Sequence, residues 1–361
     1  METVNTSIKV YQHTKIYVAA PANTFTGGPE LLHQIVYHLR NNLEINAYMY
    51  YFPKDILDPV HPFYKDYNNP FVTEIIDSSE NILIVPEVYS AVSLLKKYKE
   101  IRKTIWWLSV DNFYLSFILN SKKNLFLPRA INKLTFLLFK KRIFDITNLA
   151  YKKIRKNQID LVKFMPIKNA DHHFAQSYYA LKHLEEKGVE KNKVFYLSDY
   201  LNENFLKTQT DLSKKENIAA YNPQKGFLFT KKIMKHGKDI KFVPLINMTR
   251  EEVIKTLQRA KVYIDFGNHP GKDRIPREAA ILGCCVITGK RGSAAFFEDV
   301  PLPDEYKFED IEKNIPKIIG KIKDCFDNFE ERYKDFEYYR NIIKNEPKKF
   351  SEDLKKIFVK V

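Results

Sequence analysis

Lys272, Asp273 and Arg274 close a loop that contains Gly267 and Gly271, and Glu278 follows about one helical turn later. Ammonium and guanidinium groups in this setting suit a phosphorylated ligand. Glycines let the backbone approach it, and a helix amino terminus adds unpaired N–H groups. Arg274 and Arg277, three apart, share one helical face and can pair with a diphosphate, Arg in bidentate fashion. A carboxylate at position 278 can accept two hydroxyl hydrogen bonds, as from a ribose. The blander reading is a solvated helix face, the usual place of a helical Glu. Further candidates are Lys290 in Gly289-Lys290-Arg291-Gly292, the Gly27-Gly28 pair, Asp111, and the histidines at 172, 173 and 269. Asp111 stands where a general base could sit, or where a helix cap belongs. Lone histidines are more often structural than catalytic, and no metal-ligand spacing is evident.

These residues need a scaffold that brings them to one edge. Val262–Phe266 reads as a buried strand, Ile275–Leu282 has helical apolar spacing, and Cys284–Thr288 is a second strand. A parallel sheet would carry both following loops at its carboxyl edge, where such folds bind ligands. The alternation extends along the chain. Lys15–Ala20, Ile45–Tyr51, Asn81–Val85, Thr104–Ser109, Ala170–His173 and Val194–Leu197 read as strands. Helices are expected at 30–40, 89–100 and 178–186. A second series comprises strands at Ile218–Tyr221 and Ile240–Val243, a helix from Gly226, and one at Arg250–Arg259. From Ile311 the chain is helical, charged and aromatic. The pattern predicts an α/β protein with two domains, 1–202 and 217–361, joined by a polar linker at 203–216. A cleft between two such sheets would be a natural ligand site.

The 361 residues carry a formal charge of +15, with 44% hydrophobic and 14% aromatic content. Global disorder is excluded, and an anionic partner is favoured. Cys284, Cys285 and Cys325 read as buried reduced thiols of a cytosolic protein. No apolar run is long enough for a signal peptide or a spanning helix, so a cytoplasmic chain is expected, peripheral to a membrane at most. Residues 122–156 interleave Lys and Arg with Leu and Phe, and Asp145 is the sole acid. This segment reads either as a patch for anionic lipid or as a core-packed helix with a basic outer face. No nucleic-acid-binding module is recognisable.

Together these residues resemble a GT-B glycosyltransferase, most closely the large retaining group classed as family 4, over most of residues 15–300. The glycine pair Gly27-Gly28 after the first strand matches the family's contact to donor phosphate or acceptor. Lys225-Gly226 matches the lysine that neutralises the donor diphosphate. Glu278-Ala279-Ala280-Ile281-Leu282-Gly283 matches the family's helix whose Glu holds the ribose. Two positions depart from the pattern: Pro270 stands where the family has another Glu, and Asn222 where it commonly has Arg. The resemblance implies two Rossmann-like domains with an interdomain cleft and a helical tail. It also implies sugar transfer from a nucleotide-diphosphate donor to a surface glycan, free or lipid-linked, with no metal and no cofactor. Diphosphate contacts then fall to Lys225, Lys272, Arg274 and Lys290, and the ribose to Glu278; beside the resemblance, Asp111 and His172 are the candidate catalytic residues, placed to touch the acceptor. The rival readings are a nucleotide-sugar epimerase of the same architecture and a non-enzymatic polyanion- or membrane-binding protein.

Overall fold

The computed structural model describes residues 7–25, 27–54, 56–120, 125–139, 143–144, 146, 149–150 and 160–361. The chain forms two compact units, one of residues 1–197 with 353–361 and the other of residues 198–352.

The first unit is built on a seven-stranded parallel sheet. Its strands are β2 (Ile16–Pro21), β3 (Ala47–Phe52), β4 (Phe71–Val72), β5 (Ile82–Pro86), β6 (Arg102–Trp107), β7 (His172–Ala175) and β8 (Val194–Tyr196), in the spatial order β4-β3-β2-β5-β6-β7-β8. The central strands are apolar throughout because helices cover both faces. Ile82, Leu83, Ile84 and Val85 are all fully buried. Helix α1 (Gly27–Asn41) turns Leu31, Leu32, Ile35, Val36 and Leu39 inward, the residues whose spacing marked it. The helix expected over 89–100 is shorter. It stops at α2 (Tyr89–Val92) and a single 3-10 segment, Ser93–Lys97. The reason lies in Asp77, whose carboxylate accepts the N–H groups of Lys99, Glu100 and Ile101 at 2.8–3.0 Å and draws the chain out into β6. After β6 come α3 (Val110–Asn120), α4 (Phe126–Phe139), α5 (Met165–Lys168) and α6 (Tyr178–Glu186). A separate parallel pair, β1 (Ile8–Val10) with β13 (Phe358–Lys360), holds the two ends of the chain together.

The second unit carries a four-stranded parallel sheet in the order β10-β9-β11-β12. Its strands are β9 (Glu216–Tyr221), β10 (Lys241–Pro244), β11 (Ala260–Asp265) and β12 (Cys285–Thr288). Its helices are α7 (Glu203–Leu206), α8 (Phe227–His236), α9 (Arg250–Arg259), α10 (Arg274–Ile281), α11 (Ile315–Asp327), α12 (Phe329–Lys334) and most of α13 (Glu337–Ile357). Thr249 caps α9 reciprocally with Glu252, so its start is written in the sequence. Residues 203–216, expected to be a linker, are folded into this unit, and the division falls at 197/198. The final residues, 353–361, belong to the first unit rather than the second. Lys215 explains why the polar stretch folds: its buried ammonium donates to the carbonyls of Leu257, Ala260 and Leu282, each at 2.8 Å. Those carbonyls end α9 and α10, where a cation also complements the helix dipole. All three cysteines are buried free thiols.

Candidate functional site

The candidate site lies at the carboxyl edge of the second unit's sheet, where the loops after β9 and β11 meet. Their closest approach is glycine to glycine. Gly226 has φ +57°, and a Cβ there would lie 1.9 Å from the Phe266 carbonyl oxygen. Gly267 has φ +113°, and its Cβ would fall 2.6 Å from the Gly226 nitrogen. Only glycine meets both demands, of left-handed backbone and of space. On the far side, Ser293 N–H donates to the His269 carbonyl at 2.9 Å, and Ser293 Oγ donates to that of Gly271 at 2.6 Å. The 267–273 loop is thus braced from two directions.

Inside this frame runs a chain of charges. Lys225 Nζ lies 2.5 Å from Asp273 Oδ2, and His269 Nδ1 lies 2.9 Å from the same oxygen. His269 Nε2 faces Asp265, 3.4 Å from its carbonyl oxygen and 3.8 Å from Oδ1. Tyr263 donates its hydroxyl to Asp265 Oδ2 at 2.8 Å. Burial opposes the charged form of His269, but Asp265 and Asp273 outweigh it and raise its pKa. Burial also works against the Asp273 carboxylate, yet Lys225 and His269 hold its pKa down at about 2. Asp265, buried among these groups, is raised. The ligating atoms of Asp265, His269 and Asp273 lie within 4.8 Å of one another, so this trio could hold a metal ion. The sequence spacing i, i+4, i+8 was the available sign of it. Lys225 and His269 both already contact the Asp273 carboxylate.

Helix α10 carries Glu278, half-buried, and begins beside this cluster. Its orientation is fixed by Arg277, which is wholly buried. That guanidinium reaches Asp199 Oδ1 and Oδ2 at 2.9 and 2.8 Å and Glu346 Oε2 at 2.9 Å. Lys272 joins the same network, 2.9 Å from Glu346 Oε1 and 3.1 Å from Ser198 Oγ. Its ammonium, expected on a diphosphate, is therefore buried and engaged in tying the loop to α13. Arg274 is tied nearby, with Nε 3.7 Å from Asp199 Oδ2 and Nη2 3.4 Å from the Tyr200 carbonyl. Lys290 is exposed in the loop after β12. Its neighbour Arg291 lies 3.5 Å from Asp310, which in turn accepts the Gly267 N–H at 2.9 Å. Sequence reasoning missed the ion network because Asp199, Arg277 and Glu346 are far apart in the chain.

The remaining candidates sit in the first unit. Gly27 and Gly28 form the first turn of α1, and a Cβ on Gly28 would make only an ordinary 3.6 Å contact with Leu108. Asp111, in the first turn of α3, accepts the Tyr179 hydroxyl at 3.1 Å. His172 opens β7 and is paired in register with Thr104, at the amino end of the sheet. Asp111 follows the carboxyl end of β6. The two lie at opposite edges of one parallel sheet and do not form a joint catalytic pair. Burial pushes His172 down to about 4 and His173 to about 3. His173 is a core residue whose Nδ1 accepts from Trp107 Nε1 at 3.1 Å. Within the basic segment 122–156, residues 122–124, 140–142, 145, 147–148 and 151–156 lie outside the described residues.

No protein-family model matches this chain, and no curated protein matches it. Solved structures do. The Anabaena protein HepE (Alr3699), in complex with UDP-glucose, superposes with a TM-score of 0.58 at 11% identity, over 94% of this chain and 98% of that one. Sucrose-phosphate synthase from Thermosynechococcus elongatus gives a TM-score of 0.50 at 12% identity, over 95% of each chain. The fold they share with this chain is the two-domain GT-B fold, as the sequence resemblance implied. At these identities the likeness establishes the fold, and the residues must carry the argument for activity.

Proposed function

We propose that this protein is a glycosyltransferase that moves a sugar from a nucleotide-diphosphate donor to a surface glycan, free or lipid-linked, at the inner face of the cell membrane. The observation that carries this reading is the glycine-to-glycine junction of Gly226 and Gly267. It sets Lys225 and the amino end of α10 at one sheet edge, with Glu278 a turn along that helix. HepE, with the same fold, was solved with UDP-glucose bound.

In this reading Lys225 leaves Asp273 for the donor diphosphate, and Glu278 accepts the two ribose hydroxyls. Arg274 and Lys290 supply further positive charge around the leaving group, while Gly27, Gly28 and Asp111 serve the acceptor side. Negative charge grows on the diphosphate as the glycosidic bond breaks, and fixed cations stabilise it. We place the chemistry on side-chain cations rather than on a metal or cofactor, since Asp273 is already paired with the Lys225 ammonium. The test is incubation with UDP- and GDP-sugars, with and without membrane glycolipid extract, in EDTA. Acceptor-dependent release of nucleoside diphosphate is expected. Conversion of the donor to an epimer without acceptor, or release that needs added Mn2+, would contradict the reading.

A further inference from the structure

Helix α4 (Phe126–Phe139) is inverted relative to an ordinary surface helix. Such helices turn their apolar stripe to the core and their polar residues to water. Here Asn132 is the inward residue. Its Oδ1 accepts the N–H groups of Ile143 and Phe144 at 3.0 and 2.8 Å, and its Nδ2 donates to the Phe144 carbonyl at 2.7 Å. Arg129 also reaches back, donating to the Leu119 carbonyl. Leu125, just before the helix, closes a small core with Ile118 and Ala150. These polar clamps leave the opposite side of α4 facing out. At 100° per residue, Phe126, Leu127, Ala130, Leu134, Leu137 and Leu138 fall within one arc of about 120°. The five large side chains of that arc are between 57% and 70% exposed.

We infer that this outward apolar face of α4 seats the first unit in the interface of an anionic membrane, with the helix lying in the membrane plane. A contiguous exposed apolar patch on a charged protein marks an interaction surface. Charge selects the partner. Residues 122–156 contain eleven lysines and arginines against the single acid Asp145, and Lys133 is exposed beside the stripe. A sequence segment this basic that carries an apolar helix face suits a bilayer with anionic headgroups, because apolar burial and electrostatic attraction add. Among the described residues no helix is long and apolar enough to cross a membrane, so α4 would lie on it rather than span it. The inference deepens the membrane-side reading proposed above by naming the element that makes contact.

The test is flotation of the full chain with vesicles of phosphatidylcholine alone or mixed with phosphatidylglycerol, beside the double variant L134E/L137E. Both substituted side chains are exposed, so folding should be unaffected. The wild type is expected to float with the mixed vesicles and not with phosphatidylcholine, and the variant's partitioning to fall by at least about tenfold. In a Leu134→Trp chain the fluorescence should shift to the blue on adding mixed vesicles. Wild-type protein that ignores both vesicles, or a double variant that floats equally well, overturns the inference. So does a wild type that self-associates without lipid while the variant is monomeric, because a second copy would then cover the face. A thermal shift with UDP, measured in parallel, separates the claims. UDP binding without flotation sinks only the membrane contact, and flotation without UDP binding sinks only the donor reading.

Discussion

The ammonium of Lys225 and the carboxylate of Asp273, 48 residues apart in sequence, meet at 2.5 Å across the junction of two sheet-edge loops. The cation assigned to the donor diphosphate thus already holds an anionic partner in the protein itself. On the proposed donor reading, binding is an exchange of anions on one lysine, with Asp273 left to His269. On that reading the competition costs some donor affinity.

The first prediction follows from that exchange. Asp273→Asn removes the competing carboxylate and a negative charge near the diphosphate, and Asn is an equally good residue at the start of α10. UDP should bind about three- to tenfold more tightly, measured by titration calorimetry. Weaker binding by a folded Asp273→Asn protein would mean that Asp273 helps the donor rather than competing with it.

Arg277 gives a stability prediction. Replacing it by Met takes the closest cation from the buried carboxylates of Asp199 and Glu346, leaving Arg274 and Lys272 beside them, and breaking a buried ion pair in this way costs about 3–5 kcal/mol in other proteins. Unfolding of the second unit in urea should shift by that order. Because α10 loses its anchor, UDP affinity should fall with it. A variant of undiminished stability would show that the network is not held as described.

Gly226→Ala tests the junction itself. The new methyl would meet the Phe266 carbonyl at 1.9 Å from a residue already at φ +57°. We expect destabilisation of at least about 2 kcal/mol, read by thermal or urea unfolding. A wild-type melting temperature would rule out the close approach.

Glu87 yields a pH dependence in the first unit. It is fully buried just after β5, and burial lifts its carboxyl to about 8, although it accepts the Leu108 N–H at 3.0 Å. A folded-state pKa above the unfolded one gives stability that is complete below about pH 4.5 and lost as pH rises through about 8. Glu87→Gln, which keeps an acceptor for Leu108, should flatten that slope. It should also exceed the wild type in stability at pH 9, by an amount on the order of a few kcal/mol. Parallel pH profiles for the two proteins would refute the buried, protonated state.

Much of the second unit was legible because short-range patterns set it. The run Val262–Phe266, the helical spacing from Ile275 and the run Cys284–Thr288 became β11, α10 and β12 within a residue or two. The cap Thr249 with Glu252 fixed α9 in the same way. What escaped was set by distant partners. The β1–β13 pair joins three-residue strands from the two ends of the chain, too short to carry a period. Lys272 read as a free cation because its partner Glu346 lies 74 residues on, in a helix whose polar face looks solvated in sequence. The helix expected over 89–100 ended early because Asp77, a loop residue, captures three N–H groups at its far end. The outward apolar face of α4 was undecidable from periodicity, which shows that a stripe exists and not which way it points. Asn132 and its bonds to residues 143 and 144 decide that.

The central claim is that Lys225 and Glu278 bind different parts of one nucleoside diphosphate. Titration of UDP, GDP and inorganic pyrophosphate into the wild type, Lys225→Ala and Glu278→Ala tests it most directly. The account predicts that Lys225→Ala weakens all three ligands by about tenfold or more. It predicts that Glu278→Ala weakens UDP and GDP by about tenfold and leaves pyrophosphate unchanged, since only the nucleotides carry ribose hydroxyls. A wild type that binds none of the three, or a Glu278→Ala protein that binds UDP as tightly as the wild type, would contradict it.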